Sequence, residues 1–120
     1  MPYRIEAIRE EGYILVAHHG ESTVDEIEEA RHKVLEFSVE QRLSRVLVDV
    51  RGVINTLSTS DHFLVTEGHA KLDSHRPRAA LIGRPDQRDD LKFIETVAVN
   101  RGMPLKAFST KEDALKWLLE

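Results

Sequence analysis

Two compact apolar runs constrain this chain most: Val46-Leu47-Val48-Asp49-Val50 and Arg78-Ala79-Ala80-Leu81-Ile82-Gly83. Each is apolar at successive positions, the pattern of a strand covered on both faces, so both belong in the middle of a parallel sheet. Parallel neighbours must be joined by a crossover of a dozen or more residues, usually a helix. The stretch from Asp61 to Ser74, with Phe63, Leu64, Ala70 and Leu72, is expected to supply that helix.

The remaining segments fit the same architecture. Tyr3 to Arg9 alternates apolar and polar residues, as an edge strand does, and Glu10-Glu11-Gly12 turns the chain into the more continuously apolar Tyr13 to His18. Thr23 followed by Glu26 has the form of a capping box, and Val24, Ile27, Ala30, Val34 and Leu35, with Phe37 at the margin, recur at helical spacing behind it. Leu91, Ile94, Val97 and Ala98 make a second stripe over Asp89 to Arg101, which Gly102 and Pro104 bring to an end. Leu105 to Phe108 is a last strand. Ser109 and Glu112 resemble a second capping box, opening a helix with Ala114, Leu115, Trp117 and Leu118. The expected fold class is therefore α/β: a single domain over residues 1–120, in the order β-β-α-β-α-β-α-β-α, with a largely parallel sheet and an antiparallel first strand.

Composition narrows the function classes. The 120 residues contain no cysteine, which leaves no disulfide framework or thiol chemistry, and no run of roughly 20 apolar residues that would span a membrane. The opening Met-Pro-Tyr-Arg-Ile-Glu has no apolar core of a signal peptide, so a cytoplasmic location is the expectation. Basic residues number 17 against 21 acidic, a formal charge of −4. Nucleic-acid binding draws its affinity from clustered Lys and Arg, and the one cluster, Arg76, Arg78, Arg84 and Arg88, is diluted by Asp86, Asp89 and Asp90; it reads as solvated loops around a strand. No nucleic-acid partner is expected.

On the residues Val46 to Val53, on Val97-Ala98-Val99-Asn100-Arg101-Gly102 leading to Phe108, and on Ala114-Leu115-Lys116-Trp117-Leu118, the sequence resembles the SpoIIAA-like, STAS-domain family over nearly its whole length. That family has been compared with the Sec14/CRAL-TRIO lipid-binding fold. The resemblance implies a small regulatory or binding module. Regulators in the wider family carry an Asp-Ser-Ser-Gly loop in which a serine is phosphorylated; the matching place here is Leu57-Ser58-Thr59-Ser60, with Ser58 at the serine. Leu57 replaces the Asp and Ser60 the Gly, so the phosphoswitch does not transfer directly. Ser58 and Thr59 are thus candidates for a phosphorylation or loop site, against the plainer role of capping the following helix.

Other constellations are weaker. His62 and His69 are seven residues apart, about 10 Å along a helix axis and too far to share an ion, and His18 and His19 are strand neighbours on opposite faces. The histidines read as surface or loop residues, and no metal or cofactor is expected. There is no Gly-x-Ser-x-Gly elbow and no phosphate-binding glycine loop. Asp49 is the one acidic group near the carboxyl end of a central strand, where open α/β sheets bind ligands. Its two readings are a polar pocket group, paired with His18, His19 or His62 in an enzyme, or an acceptor for the turn at Arg51 and Gly52. Val53, Ile54, Leu57, Phe63 and Leu64 are more apolar than a crossover and its entry loop require, and mark a candidate interaction or ligand surface. The leading expectation is a non-catalytic module acting through a protein partner or self-association. The alternative is a small hydrophobic or lipid-like ligand held between the sheet and the crossover helices.

Overall fold

A computed structural model describes residues 3–21, 23–54, 78–100, 102 and 104–120. The chain opens with a hairpin: β1 (Tyr3–Ile8) and β2 (Tyr13–Gly20) pair antiparallel from Tyr3 opposite His18 to Ile8 opposite Tyr13. The turn between them needs Gly12, whose φ of 84° lies in the left-handed region that a Cβ disfavours. Thr23 then caps α1 (Val24–Gln41), its Oγ1 accepting from Glu26 N–H while Glu26 reaches back to the Thr23 N–H, so the expected capping box is present. The helix ends at Arg42, a non-glycine residue at φ 58°.

Among the described residues, β3 (Arg45–Val53), β4 (Arg78–Ile82) and β5 (Leu105–Phe108) complete a five-stranded mixed sheet in the order β1-β2-β3-β4-β5, with every neighbour after the hairpin parallel. A single turn of 3₁₀ helix, Pro85–Gln87, leads into α2 (Arg88–Asn100), and α3 (Lys111–Leu118) closes the chain. The mixed α/β architecture matches the expectation. The crossover expected at Asp61 to Ser74 lies outside the described residues.

Strand parity sorts the core into two layers. Ile14, Val16 and Val46 face α1 through Val34, while Ala79, Leu81 and Leu105 face α2 through Leu91 and Ala98; Val48 packs against both groups. On the opposite face Tyr13, Leu47, Ala80 and Ile82 pack against Ala114 and Leu118 of α3. Gly83, just past β4, is forced to be small: a Cβ there would lie 2.1 Å from Leu91 Cδ1.

Two local expectations are corrected. The cap of α3 is Thr110, whose Oγ1 accepts from Asp113 N–H at 3.2 Å, one residue beyond the Ser109 and Glu112 pair. Arg51 and Gly52 are not a turn, because β3 continues to Val53 alongside His19 and Gly20 of β2 across a register shift between Ala17 and His19.

Candidate interaction site at the carboxyl end of the sheet

The carboxyl ends of β3 and β4 are tied together by side chains from the 3₁₀ turn. Gln87 is 4% exposed, and its amide is used at both ends: Nε2 donates to the Val50 carbonyl at 2.9 Å, and Oε1 accepts from Arg84 N–H at 2.7 Å. Burial of an amide is costly unless its donors and acceptors are matched, and here they are. Arg84 extends the tie. Its Nη1 donates to the Arg51 and Val53 carbonyls, and its Nε donates to Asp86 Oδ1 at 3.0 Å. With Nη2 donating to Asp86 Oδ2 at 3.2 Å, four charge-assisted contacts fix this guanidinium, and the Asp86 carboxylate beside it raises its pKa.

Asp49 sits within β3, side by side with Ala17 of β2 and Ile82 of β4. Its Oδ1 accepts from the Arg51 N–H and Nε at 3.0 Å each, and its Oδ2 from Arg51 Nη2 at 2.8 Å. Burial pushes the Asp49 pKa up, but the bonds from Arg51, with the more distant charge of Lys111, outweigh it and leave the carboxyl below its usual range. An ionised carboxylate already holding its own arginine anchors the strand end; the acceptor role expected of Asp49 is seen with Arg51, but within β3 and not in a turn. The histidine pairing does not form with His18: that side chain follows Ile14 and Val16 onto the α1 face, whereas Asp49 follows Leu47 onto the α3 face.

His18 also departs from the surface role expected of it. It is 8% exposed, with its ring 5.9 Å from that of Tyr3, whose hydroxyl donates to Glu29 Oε1 at 2.6 Å. The signal was its parity with Ile14 and Val16. Arg78 and Arg84 likewise leave the solvated cluster proposed for them: Arg78 stacks on Trp117, and Arg84 straps β3.

Of the candidate apolar surface, Val53 is half-buried as the last residue of β3, and Ile54 stands 78% exposed, its N–H donating to the Gly20 carbonyl at 3.0 Å. Leu57, Ser58, Thr59, Phe63 and Leu64 lie outside the described residues. So does the cleft expected for a hydrophobic ligand. A groove of about 420 Å³ occurs elsewhere, along β5, lined by Glu95, Val99, Pro104, Leu105, Lys106 and Trp117. Among the described residues no group of three His, Asp or Glu side chains is placed to hold a metal, and no helix is long and apolar enough to cross a membrane.

This order of elements around a five-stranded mixed sheet defines a SpoIIAA-like α/β fold. Among solved structures the chain is similar to an uncharacterized protein of the DUF3478 family with a SpoIIAA-like fold from Shewanella loihica PV-4, with 21% identity, a TM-score of 0.58, and coverage of 97% of this chain and 91% of that one. No protein-family model matches the sequence, and neither does any curated protein.

Proposed function

We propose that the protein is a binding or regulatory module of the STAS type, acting through protein contacts made at the carboxyl end of β3. One observation carries this reading: Ile54 is held outward at 78% exposure by a backbone bond to Gly20, beside a strand end that Arg84 clamps through Val53. A large apolar side chain on a rigid support, beside charged groups that are already paired, is suited to docking. The SpoIIAA-like fold of the Shewanella loihica protein supports the same class. Ser58 and Thr59 follow Ile54 closely in sequence, so phosphorylation there would place negative charge near the docking residue and regulate it.

The test is the native size of the protein in extracts of its own cells. Wild-type protein is expected to migrate in a complex larger than the purified chain, and Ile54→Asp to migrate as the purified chain does, with unfolding curves that overlay. A Val99→Asp control, also at an exposed apolar position, should retain the complex. Identical migration of wild type and Ile54→Asp would overturn the proposal.

A further inference from the structure

The two edges of the sheet are built differently. β5 is a four-residue strand, and its outward Ala107 N–H is already taken by Glu95 Oε1 at 2.8 Å, which blocks an incoming strand. β1 at the other edge has six residues that pair with β2 in unbroken register. The Ile8 carbonyl accepts from Gly12 N–H inside the hairpin. Because backbone groups alternate sides along an antiparallel strand, Arg4 and Glu6 point theirs toward β2 and Tyr3, Ile5 and Ala7 point theirs out. Among the described residues, no strand lies beside this outward row of donors and acceptors.

The side chains of β1 select a partner for that row. Arg4 and Glu6 are both exposed and share the sheet face that carries Ile8, flanking Ile5 by one residue on either side. In an antiparallel pairing of β1 with a second β1 about a two-fold axis at Ile5, Arg4 lies opposite Glu6 of the other copy, and Glu6 opposite its Arg4. Tyr3 then meets Ala7, and Ile5 meets Ile5. Moving the axis to residue 4 or residue 6 sets Arg4 against Arg4 or Glu6 against Glu6, so charge favours one register. The strand is complementary to itself, as an isologous interface requires.

We infer that β1 is a homodimerisation edge, joining two sheets into one continuous sheet of ten strands by antiparallel β1–β1 pairing centred on Ile5. The seam is a surface separate from the Ile54 site and leaves that site free. A strand pair of this length makes a modest interface, so the dimer is reversible and dependent on concentration.

Sedimentation equilibrium on the purified chain, from micromolar to near-millimolar concentration, tests this. Wild type should move from monomer to dimer. Arg4→Glu and Glu6→Arg, each placing like charges across the seam twice, should each weaken the dimer by about tenfold. The double variant Arg4→Glu/Glu6→Arg restores opposite charges at both places and should recover the wild-type dissociation constant, a rescue that a folding defect would not give. Ile54→Asp should leave the dimer unchanged. A wild type that stays monomeric, single reversals without effect, or a double variant no better than the singles would each overturn the seam. A dimer lost in Ile54→Asp alone would place self-association at the carboxyl end of the sheet instead.

Discussion

The guanidinium of Arg78 lies 3.9 Å from the centroid of the Trp117 indole, and its Nη2 donates to the Trp117 carbonyl at 2.7 Å. One residue at the start of β4 thereby closes the end of α3 through a stack and a bond to the same partner. Removing both by Arg78→Ala should cost about 2 kcal/mol. Arg78→Lys keeps the charge but lacks the flat, forked group, and should recover less than half of that loss in urea unfolding. Full recovery by lysine would show that charge alone matters there.

Gly83 and Leu91 form a second coupled pair. A Cβ on residue 83 would fall 2.1 Å from Leu91 Cδ1 and 3.0 Å from Gln87 Oε1. Gly83→Ala should therefore destabilise by about 1–3 kcal/mol through overpacking. Leu91→Ala alone leaves a cavity in the α2 layer, and the double variant should be clearly more stable than the sum of the two losses implies. Additive losses in a double-mutant cycle would place the strain elsewhere.

Acid should weaken the fold through His18. Burial, followed by repulsion from the neighbouring His19, pulls its pKa below 6.5, with Glu26 opposing more weakly. The unfolded chain then binds the proton more readily than the folded one, so stability rises with pH. The contribution is complete above the unfolded value near 6.5 and declines as pH falls through it toward the folded value. His18→Phe keeps an aromatic ring against Tyr3 and removes the titration. Its stability should fall less than that of wild type between about pH 7.5 and pH 5.5, and an equal fall in both proteins would remove His18 from the account.

Arg42 ends α1 at φ 58°, where a Cβ is unfavourable. Arg42→Gly should raise stability by about 0.5–1 kcal/mol, the relief of backbone strain exceeding the added freedom of the unfolded chain. Thermal unfolding reads this directly, and a loss of stability would mean that the arginine side chain contributes more than its backbone costs.

Much of the fold was legible because periodicity is local. The alternation in Tyr3 to Arg9, the apolar run at Val46 and the box at Thr23 and Glu26 each specify an element without distant information. The cap of α3 is ambiguous in the sequence, because Ser109 and Thr110 each have an acidic residue three positions on, Glu112 and Asp113; the distinction lies in how the chain leaves β5. The extension of β3 through Arg51 and Gly52 was hidden for a similar reason, since it depends on pairing with His19 and Gly20 of another strand. The site was legible only in part. Ile54 and Asp49 stand out by type and position, whereas Arg84 and Gln87 act across more than 30 residues of sequence on carbonyls, which leave no mark in side-chain pattern.

A photo-crosslinking residue at position 54, introduced into the protein in its own cells, tests the docking role of this site most directly. A discrete adduct of larger mass should form there, with none from the same residue placed at Glu112, an exposed position at the start of α3. Replacing Arg84 with alanine releases the Val53 clamp and should lower the adduct yield. An absence of any adduct from position 54, or an equal yield from position 112, would contradict a docking role for the carboxyl end of β3.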